Sequence, residues 1–229
     1  VIAVTKLGNT LILDALTGKL LNDFKFVDSE KSLLLGEYTP DKRLQIVSPE
    51  PFAKMEIQLD DLSFLKSYDL DEYEKAKNRL QNGISGHLKP HILGKTSYYS
   101  GVHGGAQWPG GAYDNISQTF FTASNHIPWA IEFDEEPSNL KTDIPAFAPS
   151  GFNKFVTGLG NPVTNPPWGS VNAINLSGDT FKNTWKVPIG NSPLGKEKGI
   201  VTGTEVFGGI TFVDSGVLLI SGTSDNKLY

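Results

Sequence analysis

A short repeated pattern constrains the fold of this chain more than any other feature. The sequence AINLSGD at residues 173–179, followed by Trp185, has the form Ala-x-Asp/Asn-x-x-(x)-Gly and then, after six residues, Trp. The sequence LDALTGK at residues 13–19 repeats the first half, and DNKLY at 225–229 resembles the start of another copy. Self-similar β units at intervals indicate blades or stacked repeats. In this interpretation the Ala packs between units, the Gly makes the turn and the Trp stacks on the backbone of a neighbouring unit.

Composition agrees with a turn-rich β protein. The 229 residues include 24 Gly and 14 Pro, with 38% hydrophobic residues, which favours an all-β fold over a helical bundle or a doubly wound fold. The net charge of -5 argues against nucleic acid or an anionic membrane surface as the main partner. The absence of Cys excludes disulfides and Cys-ligated metal centres.

Short apolar runs between turn residues predict a series of strands, which suggests a sandwich, barrel or propeller; the repeat favours the propeller. The chain starts and stops inside predicted strands, so we expect it to be part of a longer protein. The predicted strands lie at residues 1–4, 10–14, 111–113, 119–123, 130–133, 169–175, 181–187, 207–210 and 217–221.

Two segments interrupt this strand pattern. Residues 25–101 are predicted to form a long insertion, mostly extended loop, with one amphipathic helix at 69–81. Asp69 is its expected N-cap, Glu72 completes a capping box, and Gly83 ends the helix. The insertion is too long for a structureless loop, so we expect it to pack on the main body. Residues 134–167, polar and rich in Gly and Pro, are predicted to be a surface excursion.

A glycine-rich stretch, GGAQWPGGAYD at residues 104–114, precedes one predicted strand pair. Glycine allows positive φ and close backbone approach. Trp108, set among these glycines, is either a plug in the core or a flat face for a planar ligand.

Several of these segments, in order, resemble the pyrroloquinoline-quinone (PQQ) dependent dehydrogenases. The chain is most similar to the membrane-associated glucose, quinate and polyol branch of that family. The resemblance covers nearly the whole chain and rests on IAVTKLGN at 2–9, LDALTG at 13–18, GEY at 36–38, the stretch 104–114, PWG at 167–169 and GTEVFGG at 203–209.

The resemblance implies an eight-bladed β-propeller, of which residues 1–229 would be a partial domain of about three to four blades from the C-terminal half. It implies PQQ with Ca²⁺ (Mg²⁺ in some members), oxidation of a sugar, polyol or similar alcohol, and a quinone or cytochrome as electron acceptor. It also implies a periplasmic location at the inner membrane. The family's catalytic Asp and metal ligands would precede Val1, so we expect no metal ligands here. This segment should therefore be inactive without the remaining blades.

Lys6 is the expected catalytic residue. In the resembled family the Lys of the Thr-Lys-x-Gly motif points at the PQQ quinone, where a fixed cation stabilises developing negative charge. The alternative is an ordinary solvent-exposed Lys.

Five further residues are expected to bind cofactor by the same resemblance. Gln107 stands where relatives often have Glu or Asn, which leaves it hydrogen bonding rather than acid–base chemistry. Asn125 corresponds to an Asn near PQQ, although a plain turn Asn is the alternative. Gly208 and Gly209 fit a close backbone approach, whereas Val206 replaces a family Asn. Trp108 would wall the cofactor cavity or seal a blade. The predicted cofactor-binding set is Lys6, Gln107, Trp108, Asn125, Gly208 and Gly209.

Two other functions remain open from the sequence. One is a non-catalytic propeller that kept the repeats and lost the cofactor, as in outer-membrane assembly lipoproteins. The other is a sugar-binding β domain with Trp129 and Trp168 as stacking platforms. A scaffold has no reason to combine Lys6, the glycine-rich stretch and Asn125, so we favour the enzyme. His103, just before that stretch, is a candidate for the substrate mouth.

Overall fold

The computed structural model describes residues 1–34, 36–136, 146–178, 180–214 and 216–229, with main chain only at 135, 136, 146 and 148. Its helices are α1 (Ser63–Tyr68, preceded by a 3₁₀ turn at Leu59–Leu62), α2 (Leu70–Asn82) and α3 (Pro193–Lys198). Its strands are β1 (Ile2–Val4), β2 (Thr10–Ile12), β3 (Asp23–Asp28), β4 (Lys42–Ser48), β5 (Ile84–Ser85), β6 (Ser97–Ser100), β7 (Gly111–Asp114), β8 (Thr119–Asn125), β9 (Pro128–Glu136), β10 (Ala146–Lys154), β11 (Gly169–Asn175), β12 (Lys182–Pro188), β13 (Ile210–Val213) and β14 (Val217–Ile220).

One sheet has the form of a propeller blade. Strands β7, β8, β11 and β12 lie side by side in that order, and each pair is antiparallel. We call this the blade sheet. The β1–β2 hairpin packs on one of its faces and the β13–β14 hairpin on the other. The structure therefore has β units stacked face to face, as the repeat predicted.

Burial on both faces follows from the alternation of side chains along β8 and β11. Phe120 and Ile174 join the apolar cluster that contains Val4 of β1. Their neighbours Phe121 and Ala173 join the cluster that contains Ile210 and Ile220 of the other hairpin. Because both faces are buried, β8 and β11 consist mostly of apolar and small residues and lack the regular apolar–polar alternation of a strand with one exposed face.

Short acidic or amide turns join the strands. Asp14 accepts hydrogen bonds from the backbone N–H of Leu16 (3.1 Å) and Thr17 (2.7 Å). Asn175 binds Ser177 in the same way, at 3.1 Å to the backbone N–H. Gly18 and Gly178 follow with φ of +69° and +79°. The two turns predicted from the repeat are therefore confirmed.

A further turn of this type escaped the sequence analysis. Asp114 binds the backbone N–H of Ile116 (2.9 Å) and Ser117 (3.3 Å), and Gln118 then takes positive φ (+51°) where the other copies have Gly. Without the glycine the pattern was not visible.

The expected copy at residues 225–229 is a different turn. Asn226 N–H bonds to Thr223 O (3.0 Å), as Gly8 N–H bonds to Thr5 O (3.0 Å), and Tyr229 then pairs with Ile220 beside β14. Residues 223–226 thus correspond to the turn that carries Lys6.

Trp185 also departs from its expected role. It lies opposite Ala173 in the β11–β12 ladder, and its ring sits 5.8 Å from that of Phe121 in the same sheet. Phe121 in turn stacks on Phe212 of the next hairpin, at 5.8 Å and 16°. The contact to the next hairpin is therefore made by an aromatic pair, and Trp185 covers the outer side of that pair.

The insertion forms a second layer. Strands β10, β9, β6 and β5 make a four-stranded sheet, and α2 packs on it through Tyr73, Ala76 and Leu80, together with Phe155 and Val163. We call this sheet with α1 and α2 the inserted layer. Phe155 and Val163 are buried, so the predicted surface excursion 134–167 contributes to a core at its C-terminal end.

The predicted helix is confirmed as α2, but its ends differ in detail. Asp69 caps it by accepting from Glu72 N–H at 3.0 Å. The Glu72 side chain does not complete a capping box and instead accepts from Gly158 N–H (3.0 Å), tying the helix to the excursion. The helix ends at Gly83, whose backbone is extended, and glycine is required there because a Cβ would lie 2.3 Å from the Tyr98 ring.

Strands β3 to β6 and β10 and helices α1 and α3 were missed by the sequence analysis, which expected mostly loop in the insertion and a surface excursion at 134–167. β3 and β4 form a hairpin anchored by Asn22, whose amide donates to Thr10 O (2.9 Å) and Ser48 O (3.0 Å). Among the described helices, none combines the length and apolar character that a bilayer crossing requires.

Candidate functional site

The glycine-rich stretch bridges two parts of the propeller at the end of β8. Gly105 N–H donates to Lys6 O at 2.7 Å, and Gly105 O accepts from Asn125 N–H at 3.0 Å. Ala106 N–H donates to Thr5 O at 3.3 Å. One glycine thus connects the turn that carries Lys6 to the strand end that carries Asn125, two residues the sequence singled out.

Close approach explains the glycines at this point. Gly104 has φ of +117°, and a Cβ there would lie 2.6 Å from Ala106 O and 3.1 Å from Lys6 Cγ. A Cβ on Gly105 would lie 2.9 Å from Gly8 N. The glycine-rich stretch can therefore lie against the Lys6 turn only without side chains.

Lys6 is exposed beside a cavity of about 470 Å³. Its ammonium has no ion-pair or hydrogen-bond partner among the residues that the structure describes. The cavity walls come from two sources: the site itself supplies Lys6, Gly101 and Val102, and the insertion supplies residues such as Tyr38, Lys89 and His91. A cation thus faces an open cavity of a size common for small-molecule sites.

Gln107 lies against the same glycine. Its Nε2 would be 3.3 Å from a Cβ on Gly104, and it donates to His103 O. The structure therefore brings Gln107 close to the Lys6 stem. Trp108 is 92% exposed, so it plugs no core within the described residues, contrary to one of its two expected roles.

The Asn125 side chain connects two elements of the fold, in addition to any contact with a ligand. It is 1% exposed, and its amide donates to Val206 O (3.0 Å) while accepting from Val206 N–H (2.8 Å). The side chain thus joins the end of β8 to the segment before β13. It is not a plain turn Asn, because a buried amide paired at both ends holds two elements together.

The two glycines of the last motif differ from each other. A Cβ on Gly208 would lie 2.1 Å from Ser221 O, so this position is kept small by the adjacent hairpin. Gly209 is exposed, and the nearest atom to its Cβ position is Pro109 Cβ at 3.2 Å. Gly209 therefore lies beneath the glycine-rich stretch, on the same face as the other candidate residues.

A charged and aromatic cluster lies beside the glycine-rich stretch, and the sequence analysis singled out only His103 and Trp129 of it. His103 Nδ1 lies 3.1 Å from Glu205 Oε1, and Lys154 pairs with the other oxygen of the same carboxylate. The His103 ring packs on Trp129, with centroids 4.3 Å apart. No local motif links residues 103, 154 and 205, because three separate segments supply them.

His126 forms a second, buried cluster. Its Nε2 lies 2.9 Å from Ser124 Oγ and 3.1 Å from Ser170 Oγ, and Asn172 donates to Ser124 at 2.9 Å. Burial, and then the charge of Lys186, lowers the pKa of His126 to about 3, so the ring is neutral. Both serines are fully buried, so this network supports the fold and is no nucleophile.

The predicted sugar platforms do not have open faces. Trp168 is buried and donates its indole N–H to Thr164 O at 2.8 Å. Trp129 is also buried, between His103 and Phe152. The stacking role expected of these two residues in a sugar-binding domain is therefore wrong.

The acidic residues that the structure describes stabilise the fold. Asp69 caps α2, and Asp61 pairs with Lys54 at 2.6 Å. Across the described ranges, no three His, Asp or Glu side chains converge as metal ligands.

Comparison with known proteins decides the family. The model of the PQQ-dependent glucose/ethanol/alcohol dehydrogenase β-propeller domain matches residues 1–229, the whole chain. The chain belongs to this family.

Two curated relatives are similar to this family member. A probable quinate dehydrogenase (quinone) from Xanthomonas campestris pv. juglandis is 25% identical over 251 residues, covering 100% of this chain and 31% of the relative. A quinate/shikimate dehydrogenase (quinone) from Acinetobacter baylyi is 25% identical over 153 residues, covering 57% of this chain and 19% of the relative. The chain therefore spans less than a third of the length of these relatives.

Proposed function

We propose that this chain is the part of a PQQ-dependent dehydrogenase that holds the cofactor's reactive edge, in an enzyme that oxidises a hydroxyl group of a sugar, polyol or quinate-like alcohol. Electrons would pass to a quinone or a cytochrome. The observation that carries the proposal is Lys6, a cation held by Gly105 at the edge of an open cavity. The family match and the two dehydrogenases named for quinones support it.

The described residues fit the cofactor. PQQ is an acidic, planar quinone. The cavity is lined by Lys6, whose ammonium has no partner among the described residues, and by Lys89, which pairs with Glu30 at 3.6 Å; the glycine backbone beside Lys6 would clash if side chains were added. When bound, PQQ supplies the quinone that accepts the electrons of the alcohol. Lys6 would hold its charge against a quinone oxygen and stabilise the negative charge that develops there.

The other candidate residues have supporting roles in this proposal. Gln107 can bind a polar edge of the cofactor beside Lys6, and Gly209 leaves room on the same face. Asn125 mainly holds the site together, through Val206 and Gly105. Trp108, exposed at 92%, can serve as a wall for a planar ligand or for another blade.

Three parts of the proposal concern the longer protein. Ca²⁺ with its ligands, the proton-accepting Asp, and a periplasmic, membrane-associated location are expected from the family resemblance. We also propose that the remaining blades complete the propeller.

A test compares Lys6→Met with Lys19→Met, an exposed Lys in the turn after β2. The full-length protein is mixed with PQQ and Ca²⁺, and reduction of a redox dye is followed with glucose, quinate and glycerol. Removing one oxyanion-stabilising group typically costs about 10²–10³ in kcat, so Lys6→Met should lose that much while Lys19→Met keeps its activity. Absence of PQQ binding to the unmodified protein would instead favour the non-catalytic propeller.

A further inference from the structure

A second cavity, of about 450 Å³, lies between the blade sheet and the inserted layer. Strand β12 contributes Lys186 to its wall, and β6 contributes Ser100. Phe52 and Lys54 come from the segment between β4 and the 3₁₀ turn. None of the described residues that line this cavity also lines the one beside Lys6. We call it the Lys186 cavity, and the proposed oxidation makes no use of it.

Lys186 brings to this cavity a positive charge that no carboxylate neutralises among the described residues. Its ammonium is partly buried and donates to Phe52 O at 3.3 Å, a long bond that leaves two N–H groups without an acceptor there. Asp61 lines the same cavity, but its carboxylate already binds Lys54 at 2.6 Å and the Gln58 N–H at 2.8 Å. The Lys186 ammonium can therefore donate to a ligand.

The surroundings of Lys186 disfavour its charged form. Burial, and then the charge of Lys54, lowers the pKa of Lys186 to about 8 from an ordinary value of 10.5. His126 also lines the cavity and is neutral, and the Glu56 carboxylate accepts from Gln58 Nε2 at 3.0 Å. An anion beside Lys186 would offset both causes, because an opposite charge at close range favours the charged ammonium.

The remaining walls indicate which anions fit. Phe52 and Ile57 give the cavity an apolar lining, which suits a carbon skeleton and strengthens electrostatic attraction by excluding water. Among the described lining residues, one ammonium, that of Lys186, lacks a carboxylate, so it matches a single negative charge. Asp61 and Glu56 would repel a second one. These features favour an organic monocarboxylate over phosphate or a polyhydroxy compound.

We propose that the Lys186 cavity binds a small monocarboxylate with an apolar body. Its carboxylate accepts from the Lys186 ammonium, and its carbon skeleton lies against Phe52 and Ile57. Because β12 belongs to the blade sheet and Ser100 to the inserted layer, the ligand joins the two. The inference goes beyond the proposed function, since it depends on neither PQQ nor Lys6.

Full-length protein tests this with benzoate as the probe. Ligand-observed NMR at constant ionic strength compares benzoate with benzyl alcohol, which lacks the charge, and with phosphate and quinate, which lack the apolar body. Lys186→Met keeps the stem and removes the charge, Lys186→Arg keeps the charge, and Lys182→Met is the control at an exposed position of the same strand. A hydrogen bond to a charged group predicts about ten- to a hundredfold weaker benzoate binding in Lys186→Met. Lys186→Arg and Lys182→Met should retain binding, and benzoate should bind most tightly of the four compounds.

A pH series separates direct contact from a structural effect of the substitution. Benzoate affinity of the unmodified protein should fall as pH rises through about 8, where Lys186 loses its charge, and should not fall in Lys186→Arg, whose guanidinium stays charged. The difference between the two proteins belongs to Lys186, because the other ionisable groups of the wall are unchanged. These groups are Lys54, Glu56, Asp61 and His126. Benzoate binding that is unchanged in Lys186→Met, that is independent of pH in the unmodified protein, or that is no tighter than that of benzyl alcohol, phosphate or quinate would overturn the inference.

Discussion

The blade sheet and the inserted layer each contain a four-stranded sheet, but they are built in different ways. In the blade sheet, two of the three strand pairs are joined by short turns, after Asp114 and after Asn175. In the inserted layer, β6 pairs with β9 across 27 intervening residues, and β5 pairs with β6 in parallel. The first sheet is packed on both faces by neighbouring hairpins, whereas helices α1 and α2 cover the second. The candidate site lies between the turn that carries Lys6 and the inserted layer, which supplies Tyr99 and Ile131 to the cavity wall.

This comparison first predicts that the inserted layer can lose its packing while the blade sheet persists. Phe155 is 0% exposed and packs on Tyr98, with centroids 4.5 Å apart. Phe155→Ala should lower the free energy of unfolding of that layer by about 3–5 kcal/mol. Hydrogen exchange followed by mass spectrometry should then rise in α2 and β6 and stay unchanged in β8 and β11. Phe152→Ala, at a half-exposed position of β10 three residues earlier, should have a much smaller effect. Equal loss of protection in both sheets would show a single cooperative unit.

The same difference explains which parts of the fold the sequence could predict. In the blade sheet, local turn residues such as Asn175 and Gly178 mark where strands end, and the predicted strands were confirmed there. In the inserted layer only α2 and β9 were predicted; the cap and the apolar face of α2 are local signals. The pairing of β6 with β9 depends on packing between distant segments, which no local pattern records.

The site divides in the same way. Lys6, the glycine-rich stretch and Asn125 stand in motifs, and the structure brings them together through Gly105. Their cofactor contacts stay predictions. The pairing of His103 with Glu205 and Lys154 could not be read from the sequence, because it exists only once β10 lies beside the segment before β13.

Acid should act on the blade sheet through His126. Its pKa in the folded protein is lowered to about 3 by burial from an ordinary value of 6.5, so folding favours the neutral ring. This stability is fully present above pH 6.5 and is lost as pH falls toward 3. His126→Gln should remove that dependence, so between pH 6.5 and 4.5 the unmodified protein should lose about 2 kcal/mol more than the variant. Urea unfolding at several pH values measures the difference, and parallel pH profiles would contradict a neutral buried imidazole.

The junction of the two regions should be sensitive at Gly105. A Cβ there would lie 2.9 Å from Gly8 N and 3.0 Å from Ala53 Cβ, so Gly105→Ala should cost about 1–3 kcal/mol through overpacking. Because Gly105 also positions Lys6, the variant should bind PQQ more weakly. Gly110→Ala is the control: its φ is +71°, but no atom lies within 4 Å of its Cβ position. It should lose some stability and keep PQQ affinity, as measured by thermal melting and by titration with cofactor. Equal PQQ affinity in the unmodified protein and in Gly105→Ala would show that the glycine-rich stretch is not part of the cofactor site.

The smallest effect concerns the turn that the sequence analysis missed. Gln118 holds φ of +51° in the turn where the equivalent positions are Gly18 and Gly178. A non-glycine residue is strained at this positive φ, and Gln118→Gly removes that strain. Glycine also gains conformational freedom in the unfolded chain, which offsets part of the gain, so the net stabilisation should be about 0.5–1 kcal/mol. The reverse change, Gly178→Gln, should destabilise the protein by a similar amount, because Gly178 has a φ of +79°. The surroundings of Gly178 are open, so a side chain there meets no steric clash and the effect comes from backbone strain alone. Chemical denaturation of both variants measures the two effects. If Gln118→Gly raises the free energy of unfolding and Gly178→Gln lowers it, the turns are equivalent units of one repeat, in which the Asp or Asn side chain forms the turn and glycine only relieves strain. If both substitutions destabilise the protein, the Gln118 side chain has a role of its own in the blade sheet.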